Sequence, residues 1–216
     1  MRVLVNALSA RRGGILTYTR NLLTALRMRG VDITIVAPDE LGFDSTENVE
    51  IININKLSPL FRFLWEQVAW RRIVQRHKPD ILFSSANFGL LACPVKQVLL
   101  LREGGLFDPL YLANMTAPQG IGSAVNRFFR RKLMLMSAKA ADHIITPTET
   151  MRKMVSLWQP LISQKCTVNP YGTINDAFSP SGNPRKWRED GVLRILYVSV
   201  YYPHKVPNLI CQAVDK

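Results

Sequence analysis

Short runs of apolar, often β-branched residues alternate along the chain with longer runs whose apolar residues recur every three to four positions. That alternation predicts βα units laid on a parallel sheet. Residues 2–6 predict a strand, 9–14 a glycine-ended loop, 15–28 a helix stopped by Gly30, and 31–36 a second strand. A further strand is expected at 50–54. A helix is expected at 59–76, ending before Lys78-Pro79 because a residue that precedes proline is pushed out of the helical region. Strands follow at 81–84 and 97–101. The segment 121–139 has a second strong helical period, with Val125, Phe128, Phe129, Leu133, Met136 and Ala140 on the side expected to face the core. Arg127, Arg130 and Arg131 fall opposite, and with Lys132 they read as a solvated cationic face. After a strand at 143–145, Thr146-Pro147-Thr148-Glu149 reads as a helix start, with Thr146 as cap, Pro147 at the first helical position and Glu149 three residues past the cap. The last strand of this sheet is expected at 166–169.

Pro180-Ser181-Gly182-Asn183-Pro184 then concentrates five turn-forming residues ahead of a charged stretch, and the domain boundary is expected there. Residues 1–184 are thus expected to form an α/β domain, a Rossmann-like parallel sheet flanked by helices. Residues 185–216 supply a linker, a strand at 193–199 and a helix at 208–214, the truncated start of a second domain. A strand without its neighbours exposes unpaired backbone groups, so a dimer or swap through this piece is expected.

The size and the apolar content, 216 residues and 47% hydrophobic, suit one sizeable core plus an appendage. Charge adds a class of partner: 28 Lys and Arg against 16 Asp and Glu leave a formal +12, which attracts nucleic acid, a membrane face or phosphorylated small molecules without choosing among them. Cys93, Cys166 and Cys211 are odd in number and set among apolar residues, which fits reduced thiols in a cytosolic protein, and the three histidines have no metal-ligand spacing. No metal is expected. Met1 and Arg2 run directly into a strand, unlike a signal peptide, and no stretch approaches the roughly 20 apolar residues of a membrane span. A cytoplasmic protein, peripheral on the inner face of the membrane, is expected. In the 59–76 helix, Phe61, Leu64, Trp65 and Val68 read as the inward stripe, and Phe63, Trp70 and Val74 as a second apolar face on the reverse side. That second face either lies under a loop or dips into an anionic bilayer.

Gly13-Gly14 lies between the first strand and the first helix, where backbone N–H groups and the positive helix end can receive an anion or a sugar hydroxyl. Two glycines can equally serve only to turn the chain. The segment 9–14 lacks G-x-G-x-x-G, although Asp39 imitates the acid that binds a nicotinamide ribose, and no segment matches the phosphate loop of NTPases.

Four passages together resemble the retaining glycosyltransferases of family 4, which have the GT-B fold. Residues 13–23, from Gly13-Gly14 into Leu22-Leu23, look like that family's glycine loop and first helix. Ser137-Ala138-Lys139-Ala140-Ala141-Asp142-His143-Ile144-Ile145 and the following Thr146-Pro147-Thr148-Glu149 are similar to its helix-strand-helix passage. Val168-Asn169-Pro170-Tyr171-Gly172 resembles the turn into the interdomain cleft. Arg194 to Ser199, then Pro203-His204-Lys205, looks like the opening of the donor-binding domain.

The resemblance implies transfer of a sugar from a nucleotide-sugar co-substrate to a glycan or lipid-linked acceptor, with no further cofactor and no obligatory metal. Leaving-group charge would be held by cations and helix N-termini. By the same resemblance Gly13, Gly14, Asn169, Tyr171 and Gly172 are candidate acceptor- or donor-binding residues, and Lys205 stands at the family's phosphate-contacting lysine. Two departures are visible. Val200 replaces the usual arginine, and Arg102-Glu103-Gly104-Gly105 stands where many relatives carry a His-Asp pair. Arg102 and Glu103 are the candidate catalytic residues, Arg102 to hold an anionic acceptor and Glu103 to orient its hydroxyl; a surface ion pair in a glycine-rich turn is the competing reading. The family's donor-site glutamates lie beyond Lys205, so the 216 residues alone are expected to be inactive. Two alternatives stay open: a nucleotide-sugar epimerase of the same architecture, and a basic module that binds nucleic acid. The second has no zinc-finger, RNA-recognition or helix-turn-helix pattern behind it, and no nucleic acid is expected.

Overall fold

The structure is a computed structural model that describes residues 1–10, 14–38, 49–54, 59–85, 87–171, 191, 195 and 208–214. Two compact units divide the chain, Met1–Tyr171 and Gly172–Lys216. In the second, the described helix is Asn208–Val214. The strand expected at 193–199, the boundary at 184 and the dimer contact built on that strand lie outside the described residues.

The first unit holds seven parallel strands: β1 (Arg2–Asn6), β2 (Asp32–Pro38), β3 (Val49–Ile54), β4 (Ile81–Ser84), β5 (Lys96–Leu100), β6 (His143–Thr146) and β7 (Cys166–Val168). They lie in the order β3-β2-β1-β4-β5-β6-β7. The helices are α1 (Gly14–Arg27), α2 (Pro59–His77), α3 (Pro109–Ala140) and α4 (Glu149–Trp158). Strands covered on both faces read as continuous apolar runs, and β1 shows why: Val3 and Val5 pack with Leu23 of α1 on one face, Leu4 with Trp70 and Val74 of α2 on the other. A third cluster joins Leu99 and Ile144 of the sheet to Met134 and Ala138 of α3 and Val155 of α4.

Local chemistry sets the ends of these elements. Gly30 sits at φ +65, where glycine has no Cβ penalty, and its amide donates to the Arg27 carbonyl at 2.9 Å to close α1. Asp142, just before β6, accepts from the Gln97 amide at 2.8 Å and from Lys96 Nζ at 3.1 Å, so it ties the start of β5 to its neighbour. The cap of α4 is Thr148, whose Oγ1 accepts from the Met151 amide at 3.1 Å, and not Thr146. Thr146 is fully buried and still paired with Val168 of β7, so the ladder holds it extended and the helix begins two residues later.

Both long helices turn a different face inward from the one their apolar residues suggest. In α2, Trp70 and Val74 are buried and Trp65 of the expected stripe packs half-buried beside them, while Leu64 and Val68 are 58% and 65% exposed; the Phe61 side chain is outside the described residues. The true inner face includes Glu66 and Gln67, which make hydrogen bonds to the β1 end and to the loop before β5, so counting apolar positions overlooks it. In α3, broken at Gly120 (φ 74, ψ 173), the buried residues among those described are Arg127, Met134, Ser137 and Ala138. Val125, Phe128, Phe129 and Met136, expected in the core, are 44 to 59% exposed. The small residues Ser137 and Ala138 stand at buried positions against the sheet, and the Arg131 guanidinium lies over the Trp158 ring. Among the described residues no helix is long and apolar enough to cross a membrane.

Candidate active site

Strand order reverses between β1 and β4, and in open α/β sheets the crevice beyond the carboxyl ends of the strands at such a reversal is where ligands collect. β1 ends there at Asn6, in register with Ser84 at the end of β4. Asn6 is buried and fully engaged. Its Oδ1 accepts from the Leu8 amide at 3.2 Å, its Nδ2 donates to Oε1 of the buried Glu66 at 3.4 Å, and its carbonyl accepts the Ser85 hydroxyl at 2.6 Å. The floor of the crevice is therefore held from α1's approach loop, α2 and β4 at once.

Beside this floor, the segment after β5 is organised by Asn87. Its φ of +60 is a left-handed conformation that asparagine tolerates better than most residues. From that position Oδ1 accepts from the amides of Arg102 at 2.8 Å and Glu103 at 3.2 Å, and Nδ2 donates to Glu103 Oε2 at 3.4 Å. The same Oε2 receives Arg130 Nη2 from α3 at 2.7 Å. Burial pushes the Glu103 carboxyl above the usual range, against the opposing pull of Arg130 and Arg102. The ion pair of this turn is thus Glu103 with Arg130, and not Glu103 with its neighbour Arg102.

Arg102 is directed elsewhere. A methyl group built on Gly14 would lie 3.7 Å from Arg102 Nη2, which sets the guanidinium against the first turn of α1, a turn with no acidic residue. Arg102 Nη1 is shut from solvent and has no hydrogen-bond partner among the described residues. Two tyrosines complete the cluster: the rings of Tyr18 and Tyr171 meet edge to face, with centroids 5.3 Å apart. The Tyr18 hydroxyl is pushed up to about 12, chiefly by burial, with Tyr171 adding and Arg102 opposing. Tyr171 is also raised, mainly by burial. Both remain neutral O–H donors near pH 7. A guanidinium and a positive helix end converging on one space favour an anion.

The sequence profile of Glycosyltransferase Family 4 matches residues 12–173, which takes in every residue of this cluster. The chain belongs to glycosyltransferase family 4. No curated protein matches its sequence. Solved structures similar to this family 4 chain include WaaG, a glycosyltransferase involved in lipopolysaccharide biosynthesis, with a TM-score of 0.57 at 11% identity over 82% of this chain and 46% of that one. Phytolacca americana UGT2 matches at 0.50 and 12% identity, over 80% and 52%. Arabidopsis thaliana UGT89C1, complexed with UDP-L-rhamnose, matches at 0.50 and 12%, over 79% and 51%. At such identities the likeness is one of fold, the Rossmann-like half of the GT-B architecture. The chain spans about half the length of each.

Within the family 4 domain the expected site residues separate. Gly14, Arg102 and Tyr171 come together, with Glu103 adjacent. Asn169 is exposed and engaged through its amide, which donates to the Thr146 carbonyl at 2.9 Å. Gly13, Gly172 and Lys205 lie outside the described residues. Sequence reasoning missed Asn87, Arg130, Tyr18 and the pair Asn6 and Glu66. An asparagine two residues past the strand-ending Ser84-Ser85 is a visible turn signal; nothing local places Arg130 against Glu103.

Proposed function

We propose that residues 1–184 are the acceptor-side half of a transferase that moves a hexose-type sugar, with retention, from a nucleotide-sugar to a glycan or lipid-linked acceptor bearing a carboxylate or phosphate. The observation that carries the reading is Arg102: a guanidinium whose Nη1 is shut from solvent with no hydrogen-bond partner among the described residues, set against the α1 N-terminus at the strand-end crevice. In this role Arg102 holds the acceptor's anion and Glu103 orients its hydroxyl toward the anomeric carbon. Asn87 and Arg130 act through Glu103 as positioning residues. The acceptor oxygen forms the new bond to the anomeric carbon as the nucleoside diphosphate leaves with the electrons of the broken one and takes up the hydroxyl proton, and Lys205, at the start of the donor-side half, would stabilise its charge. Family membership and the UDP-L-rhamnose bound by the Arabidopsis relative support a nucleotide-sugar donor and favour transfer over the epimerase and nucleic-acid alternatives.

The test uses the protein expressed from its natural reading frame, with UDP-, GDP- and ADP-sugars and acceptors with and without an anionic group. One donor should be hydrolysed or transferred, and Lys205→Ala should abolish this. Arg102→Gln should raise the KM for the anionic acceptor roughly tenfold to a hundredfold, the worth of a charged hydrogen bond, and leave a neutral acceptor unaffected. Turnover with no donor would defeat the transferase reading. Equal effects on both acceptors would defeat the role of Arg102.

A further inference from the structure

Tyr18 and Tyr171 belong to the Arg102 cluster but have no part in the transfer chemistry described above. Tyr18 stands on the second turn of α1, its ring half-buried against the core that packs on β1, and Tyr171 stands at the end of the first unit, 38% exposed. The planes of the two rings lie at 62°. An edge-to-face contact uses the edge of one ring and the face of the other, so it fixes both orientations and leaves the open surface of Tyr171 to meet a ligand. Among the described residues neither hydroxyl has a hydrogen-bond partner. Each is therefore a donor and an acceptor held at the end of a fixed ring.

This surface is the complement of a sugar ring. A pyranose has an apolar C–H face bordered by hydroxyls; the face suits the aromatic surface and the border suits the unengaged phenolic groups. An acyl or prenyl chain would cover the rings and leave both hydroxyls unsatisfied, which is costly.

The charge balance selects the anion. Arg102 offers one guanidinium, and the other one at this turn, Arg130, is already engaged by Glu103. A phosphate monoester carries about 1.5 to 2 negative charges near pH 7 and would need a second cation beside the Glu103 carboxyl. A carboxylate brings a single charge on two coplanar oxygens, which matches the fork of one guanidinium.

We infer that Tyr18 and Tyr171, with Arg102, read the acceptor, and that this acceptor is a sugar whose ring carries a carboxylate. Its carboxylate lies on Arg102, the C–H face of its ring on Tyr171, and a ring hydroxyl on Tyr18. The inference rests on the transferase reading and narrows its acceptor to the acidic end of a glycan.

Binding measured apart from turnover tests it. The full protein is titrated, without a donor, with methyl glycosides of glucuronate and galacturonate, their neutral hexose counterparts and the hexose 6-phosphates. One uronide should bind roughly tenfold or more tighter than its neutral and phosphorylated counterparts. Saturation-transfer NMR should place the strongest contact on the C–H protons of one ring face. Tyr171→Leu, which keeps apolar bulk at a half-exposed position, should weaken that uronide roughly fivefold and erase the preference for one face. Tyr18→Phe keeps the packed ring and should weaken it roughly threefold. Tightest binding of a hexose phosphate, equal binding of uronide and neutral glycoside, or an unchanged uronide affinity in Tyr171→Leu would overturn the inference. Turnover on a neutral or phosphorylated acceptor with no uronide binding would overturn it and leave the transferase reading intact. Tyr171-dependent uronide binding without turnover of any donor would support the sugar-acid subsite and count against the transferase reading alone.

Discussion

Arg130 Nη2 stands 2.7 Å from Glu103 Oε2, and this contact joins the middle of α3 to the carboxyl end of β5 across 27 residues of sequence. It decides how the candidate site is wired. Because Glu103 is engaged by Arg130 and Asn87, Arg102 is left to lie against Gly14, and the two adjacent residues serve different ends of the cluster.

Asn87 should be the most sensitive position of this loop. Asn87→Ala puts a Cβ-bearing residue without hydrogen-bonding atoms at φ +60 and removes the acceptor for two amides, a loss of about 2–4 kcal/mol in chemical denaturation. Asn87→Gly accepts the backbone and loses only the hydrogen bonds, so it should fall between wild type and alanine. An unchanged midpoint for Asn87→Ala would show that the loop is held by other means.

Glu103 has a characteristic pH signature. Its raised pKa means that the folded state binds the proton more tightly than the unfolded chain, so stability falls as pH rises from the ordinary glutamate range through the folded value. Glu103→Gln lacks that loss. Its stability relative to wild type should therefore increase with pH across this window and level off above it, followed by melting temperature from pH 4 to 8. A relative stability that decreases with pH would mean that Arg130 outweighs burial.

Asp142 should behave in the opposite sense. The Gln97 amide, then Lys96, hold its carboxyl below the usual range, so its stabilisation is present above the unfolded pKa and disappears as pH falls through the folded one. Asp142→Asn is expected to cost about 1 kcal/mol near neutrality, with the difference closing toward pH 3. A cost that stays constant from pH 7 to 3 would remove the charge from the explanation.

Gly89 is a packing constraint behind the site. A Cβ there would lie 2.9 Å from Gln97 Oε1 and 3.1 Å from its Cδ. Gln97 is fully buried, accepting from the Leu90 amide at 2.7 Å and donating to the Leu90 carbonyl at 3.0 Å, so it cannot yield without breaking both bonds. Gly89→Ala should cost about 2–3 kcal/mol. Wild-type thermal stability in that variant would show that the loop can shift as a body.

Most of the fold was legible because its determinants are local. β4 spans the expected residues, β1 likewise, and α2 begins at Pro59 as its pattern implies. Gly30 and Lys78-Pro79 mark helix ends through backbone sterics that act whatever surrounds them. Thr146 reads as the cap of α4 because it offers the same capping hydroxyl as Thr148, and only the pairing of β6 with β7 excludes it.

The chain's apolar periods, turn residues and family motifs by themselves determined the order of strands and helices, the parallel Rossmann-like class and membership of a glycosyltransferase family. Which face of α2 and α3 turns inward was settled only in three dimensions, because both helices carry apolar residues on two sides and the choice rests on what the sheet and α4 present to them. The site was likewise assembled by topology: Gly14, Arg102 and the Tyr18–Tyr171 pair meet because parallel strands deliver their carboxyl ends to one edge, a proximity that no local spacing encodes.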